Sequence, residues 1–186
     1  SLSDLKQTYN GNNIQATINT TPANLSYTIT YNRDSIPPIN AGTYIVEVNI
    51  NEDNYTGYII DTLVIEKALA TIHIDSLSLI QTYNGNTKKA NISTTPQNLN
   101  CNILYNNSTN YPINAGTYNV DVTIVDSNYY GTTNATMTIE KASASIKLSN
   151  LHHIYDGTSK TAQIDIQPIV NYNVSYNGDS NAITAG

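Results

Sequence analysis

The residues of this 186-residue chain whose types could do chemistry are few: three histidines, one cysteine, two Glu-Lys pairs and two short acidic loops. His152 and His153 are adjacent and His73 stands far from them. Imidazole is a common metal ligand, but the pair occurs once in a chain that otherwise repeats itself, so solvated loop residues are expected. Cys101 stands where an earlier copy of the same segment has Tyr27, which reads as a small buried hydrophobe rather than a nucleophile. Asn51-Glu52-Asp53-Asn54 and Val125-Asp126-Ser127-Asn128 offer oxygens of the kind calcium collects. The second has a single carboxylate where such a site gathers several, and an exposed turn is expected at both. Glu66-Lys67 and Glu140-Lys141 invite comparison with Lys–Asn isopeptide cross-links. That chemistry needs a buried lysine beside an asparagine, whereas alternation leaves Lys67 at the frayed end of a strand. No recurring pair of titratable groups sits at plausible catalytic spacing. The expectation is no enzyme, no catalytic residue, no cofactor-binding residue and no metal ligand.

All 15 aromatic residues are tyrosines, with no Phe and no Trp. Tyr9, Tyr83 and Tyr155 recur in a Tyr-Asn/Asp-Gly turn, and Tyr44 and Tyr118 recur at the start of a strand. An aromatic that returns at fixed places is expected in the core with its hydroxyl bonded to backbone. Tyr58, Tyr111 and Tyr130 are not shared between copies, so a sugar-stacking surface made from them would be peculiar to one copy. Asn-x-Ser/Thr triplets at Asn19, Asn54, Asn91 and Asn134 arise readily by chance in so Asn- and Thr-rich a sequence.

What positions these residues is a repeat. Leu5-Lys6-Gln7-Thr8-Tyr9-Asn10-Gly11-Asn12 returns as Leu79-Ile80-Gln81-Thr82-Tyr83-Asn84-Gly85-Asn86, and 85 − 11 gives a period of 74. Pro38-Ile39-Asn40-Ala41-Gly42-Thr43-Tyr44 returns at 112–118 and Ile65-Glu66-Lys67-Ala68 at 139–142, both with the same period. A third copy starts with Tyr155-Asp156-Gly157 and is cut short at Ala185-Gly186. The expected division is 1–68, lacking its first strand, then 69–142, then a truncated 143–186, together a window on a longer array.

Within each copy the apolar residues alternate, the mark of strands with one buried face. Tyr44, Val46, Val48 and Ile50 point one way, matched by Tyr118, Val120, Val122 and Ile124. Tyr27, Ile29 and Tyr31 form a second run, matched by Cys101, Ile103, Tyr105 and by Tyr172, Val174, Tyr176. Leu63 and Ile65 pair with Met137 and Ile139, and short strands are expected around Ala16–Ile18, Ala90–Ile92 and Ala162–Ile164. Five strands per copy and no helix longer than about two turns are expected. Asn10-Gly11, Asn84-Gly85, Asp156-Gly157 and Asn177-Gly178 supply tight turns. Residues 62–74 and 136–148 cross from copy to copy with no Gly and no Pro, so neighbouring modules should hold a limited range of angles.

Tyr-Asn-Gly-Asn, then Pro-Ile-Asn-Ala-Gly-Thr-Tyr-x-Val, then Asn-Tyr-x-Gly, then Ile-Glu-Lys-Ala resembles the MBG-type and related YDG-type tandem repeats of large bacterial surface proteins. The resemblance implies an all-β fold of small β-sandwich, β-grasp-like or immunoglobulin-like modules, an extracellular, adhesin-like setting and no catalytic residues. Composition agrees with that setting: 8 Lys+Arg against 14 Asp+Glu leave no basic footprint for nucleic acid, and no apolar run of about 18 residues could span a membrane. The expected role is a semi-rigid stalk or spacer in a long surface protein or fibre. Its partners would be neighbouring repeats of the chain and other copies in the fibre. The alternative is an adhesive module that binds glycans or other surface ligands directly.

Overall fold

A computed structural model describes residues 1–179. Among them, all regular structure is strand apart from one 3-10 turn at Ser76–Ser78. The first repeat carries β1 (Leu2–Ser3), β2 (Lys6–Thr8), β3 (Thr17–Ile18), β4 (Tyr27–Tyr31), β5 (Gly42–Ile50) and β6 (Tyr58–Glu66). β5 is the centre of the module because its β-branched residues alternate and suit a pleated, half-buried surface. It pairs antiparallel with β4 on one edge and β6 on the other. β2 then adds to β6 in parallel, giving a four-stranded order β2-β6-β5-β4.

The inner face of that sheet supplies Tyr31, Val46, Val48, Leu63 and Ile65, all at 2% exposure or less. Against them pack Ile14, Ala16, Leu2 and Ile18, the last two from the antiparallel pair β1–β3. The first module thus buries one face of a mixed sheet under a small second layer, an all-β arrangement with a single core. Alternation holds at the centre of β5 and relaxes at its ends, where Tyr44 and Ile50 are half-buried.

The second repeat follows through β7 (Ala68–Leu69) and repeats the plan with β8 (Thr71–Ile74), β9 (Ile80–Thr82), β10 (Ile92–Thr95), β11 (Cys101–Tyr105), β12 (Gly116–Ile124), β13 (Tyr129–Tyr130) and β14 (Thr132–Glu140). Its sheet order is β11-β12-β14-β9, and Val120, Val122, Met137, Ile139 and Tyr105 form its core. The expected five strands are therefore exceeded. β2 and β9 are additional parallel edge strands, invisible to alternation because a glutamine holds them. Gln7 Nε2 donates to Asp4 O and Gln15 O, both at 2.8 Å, and Gln81 Nε2 donates to Ser78 O and Lys89 O.

Residues 1–140 form one compact unit, and the described residues from 141 onward a second. In the second, β15 (Ser145–Ser149) pairs antiparallel with β16 (Gln163–Gln167), and Ile166 is buried. The run expected to point inward departs from its counterparts: Tyr172 is 54% and Val174 38% exposed, and residues 171–175 form no strand. Their counterparts in β4 and β11 are paired along their length with β5 and β12, whereas residues 171–175 pair with no strand among the described residues. Asn177-Gly178 does make a turn, closed by the bridge between Tyr176 and Asp179. The closing Ala185-Gly186 lies outside the described residues.

The two crossings also differ. From β6 through Lys67, β7 and Ala70 into β8 the backbone is extended and almost wholly paired. Lys141–Ala144, in contrast, belong to no strand and are exposed.

Candidate functional site

Residues of two repeats meet at the loop after β12. Asp126 opens it, and its Oδ1 accepts the N–H groups of Asn128 (2.8 Å) and Tyr129 (3.0 Å), a local side-chain turn that fixes the loop's shape. The loop then presents backbone and side chain to repeat 1. Ala68 N–H donates to Asn128 O at 2.8 Å and Ala70 N–H to Tyr130 O at 2.9 Å, the parallel pairing of β13 with β7. Asn128 reads a second segment: its Oδ1 accepts the Ala41 N–H at 2.8 Å and its Nδ2 donates to Asn40 Oδ1 at 3.1 Å. Lys67 Nζ donates to Asp126 O at 2.6 Å.

Apolar contact completes the seat. The rings of Tyr9 and Tyr129 meet edge to face, with centroids 5.3 Å apart and planes at 84°. Gly131 lies against Ala70, whose carbonyl oxygen is 2.5 Å from where a Cβ at 131 would sit, so only glycine admits this approach. Ala70 is 4% exposed. The joint therefore draws on the Tyr-Asn-Gly turn and the Asn-Ala-Gly loop of repeat 1 and on the Glu-Lys-Ala-x-Ala crossing between the repeats.

Each of those segments returns 74 residues on, and the model of the MBG domain matches residues 1–69, 70–143 and 144–186 in tandem. The chain belongs to the MBG domain family. Neither the curated proteins nor the solved structures gave a match. MBG repeats point to the repeat region of a surface protein, and MBG domains are not an enzymatic family. No helix of the described residues is long and apolar enough to cross a membrane.

Several residues singled out in the sequence take other places in the MBG fold than expected. The acidic loop at 125–128 is a joint rather than a plain exposed turn, because Asp126 and Asn128 are both engaged in it. In repeat 1 the equivalent Glu52 accepts the Ser26 N–H at 2.6 Å, which lowers its pKa below the usual glutamate range. The turn tyrosines are not core residues with bonded hydroxyls. Tyr9 is half-buried beside Tyr129, Tyr83 is 39% exposed and Tyr155 63%. The turn itself is closed by the preceding side chain, as Asn10, Asn84 and Asp156 each accept the N–H two residues on. Tyr44 and Tyr118 do follow expectation, their hydroxyls donating to Asn40 O and Asn114 O at 2.8 Å.

Lys67 is exposed and bonded to a carbonyl. Glu66 instead pairs with Lys6 at 2.9 Å on the surface. Cys101 packs half-buried against the second core, its Sγ 3.7 Å from Leu99 O, and burial raises its pKa. His73, His152 and His153 are exposed, as are Asn19, Asn54, Asn91 and Asn134. Among the described residues no three His, Cys, Asp or Glu side chains gather at metal-binding distance.

The hydroxyls of the strand tyrosines are a further structural feature that alternation alone does not reveal. Tyr31 and Tyr105, both 2% exposed, accept the N–H of Ala16 (3.2 Å) and Ala90 (2.9 Å), and Tyr176 accepts that of Ala162 (2.8 Å). The signal was present in the conserved 15-residue separation of Ala16 from Tyr31 and of Ala90 from Tyr105. The joint was foreshadowed too, since Asn54-Tyr55-x-Gly57 returns as Asn128-Tyr129-x-Gly131.

Proposed function

We propose that this chain is a semi-rigid spacer, a run of MBG modules at 1–68, 69–142 and 143–186 within a long extracellular surface protein or fibre. The observation that carries the reading is the joint between the first two repeats. Two backbone hydrogen bonds of β7–β13, two more through the Asn128 side chain and a Tyr–Tyr contact all act at one boundary. A linker built to swivel would leave its backbone solvated. Here the crossing is paired on its way from β6 into β8. Its partners are then its own neighbouring repeats. Small-angle scattering of the protein tests this: the spacer reading expects a rod-like distance distribution, and a broad, compact one contradicts it.

A second reading, direct adhesion to glycans, rests on one feature. A groove of about 490 Å³ in repeat 1 runs between Tyr31, Asn32, Pro37, Asn40 and Tyr44. Its counterpart of about 350 Å³ in repeat 2 adds Tyr111, half exposed and edge-on to Tyr105 at 5.7 Å. Aromatic faces beside amides suit a sugar ring. Saturable binding on a glycan array that Tyr111→Ala removes would favour adhesion over the spacer.

A further inference from the structure

The groove beside Gly57 in repeat 1 occupies the position that, in repeat 2, is filled by the crossing strand. Subtracting 74 carries Asn128, Tyr129, Tyr130 and Gly131 onto Asn54, Tyr55, Thr56 and Gly57. In repeat 2 the carbonyls of Asn128 and Tyr130 accept from Ala68 and Ala70, and Ala70 lies on Gly131. In repeat 1 the carbonyls of Asn54 and Thr56 accept no backbone hydrogen bond from the described residues, and a Cβ at Gly57 would meet Ile50 alone. A groove of about 440 Å³ opens there between Ser1, Ile18, Leu25, Ile50, Tyr55 and Gly57. Tyr55 is 49% exposed where Tyr129 is half-buried, and Ile50 is half-buried where Ile124 is 6% exposed.

We propose that this groove receives the closing segment Ile-Glu-Lys-Ala-x-Ala-x-Ile of another MBG repeat, by parallel β-pairing along Asn54–Thr56. The proposal rests on the reading of the chain as end-to-end modules and names the contact that joins them. Register supports the fit. Ser1 exchanges both backbone bonds with Asn19, the position at which His73 pairs with Ser93 in repeat 2 (93 − 74 = 19). Ser1 thus stands in the place of His73. A segment equivalent to Ile65–Ile72 ends where Ser1 begins, and it would lie opposite Thr20 and Thr21, which border the groove. Main-chain bonds would supply affinity, and glycine at 57 the close approach.

The test is a titration of the isotope-labelled 186-residue protein with a synthetic peptide of sequence Ile65–Ile72, acetylated at its N-terminus and ending in a free carboxylate, followed by NMR. Saturable shifts confined to Ser1, Ile18–Thr21, Ile50 and Asn54–Tyr58 are expected. A peptide with proline at both positions 68 and 70 lacks the two donors and should bind at least about tenfold more weakly. No saturable shift, shifts centred elsewhere, or equal binding of the proline peptide would overturn the proposal. Peptide binding does not depend on how the protein's own repeats are oriented. A failed titration beside rod-like scattering would therefore remove this contact and leave the spacer standing, whereas binding beside compact scattering would do the reverse.

Discussion

The ring of Tyr9, in the first turn of repeat 1, meets the ring of Tyr129, in a loop of repeat 2, edge to face at 84° and 5.3 Å. Tyr9 packs at the edge of the first core, and Tyr129 reaches it from the loop of repeat 2, so their contact bridges the two modules. A double-mutant cycle of Tyr9→Ala and Tyr129→Ala, read by chemical denaturation, should give a coupling of about 0.5–1.5 kcal/mol. Simple additivity would mean the contact contributes nothing.

Asn128 ties the same loop to Asn40 and Ala41. Asn128→Ala removes both bonds and leaves the Ala41 N–H without its acceptor. Native-state hydrogen exchange at Ala41 should accelerate by about tenfold, from a loss on the order of 1–2 kcal/mol, while Val46 and Val120 stay protected. Unchanged exchange at Ala41 would show the amide to be held by something other than Asn128.

How far this was legible in the sequence differs by layer. β5 and β12 announce themselves because a one-sided core forces Val46, Val48, Val120 and Val122 into alternation. β2 and β9 do not, since a glutamine side chain rather than an apolar face anchors them. The joint was harder still. Asn128 and Ala41 are 87 residues apart, and a period of 74 reveals which positions are equivalent, not which ones touch. The turn tyrosines misled for a related reason: recurrence marks a constraint of any kind, and for Tyr9 it includes contact with the next module as well as packing at the edge of its own core.

The strand tyrosines carry a sharper prediction. Tyr31 and Tyr105 each bury a hydroxyl that accepts an alanine N–H, and burial raises both pKa values. Tyr31→Phe or Tyr105→Phe keeps the ring and strands that N–H. Each should cost about 1–3 kcal/mol in denaturant unfolding, with little change in m-value. A neutral substitution would mean the N–H finds water instead.

In repeat 3, Asp156 accepts from Lys160 and from Thr158, which holds its pKa well below the usual aspartate range. A carboxylate with a depressed folded pKa contributes stability above its unfolded value, and that contribution is lost as pH falls through the folded one. Repeat 3 should therefore loosen as pH drops below the ordinary aspartate value of 3.8. Asp156→Asn keeps the turn, as Asn10 and Asn84 do, and should flatten this dependence. NMR titration of the carboxylate checks it, and an ordinary midpoint would contradict the pairing.

The account depends most on repeats 1 and 2 moving as one body. Residual dipolar couplings of the labelled protein in a weakly aligning medium measure this directly. One alignment tensor should fit the β2-β6-β5-β4 sheet and the β11-β12-β14-β9 sheet alike. Two tensors of clearly different magnitude would mean that the joint does not hold and that the modules swivel.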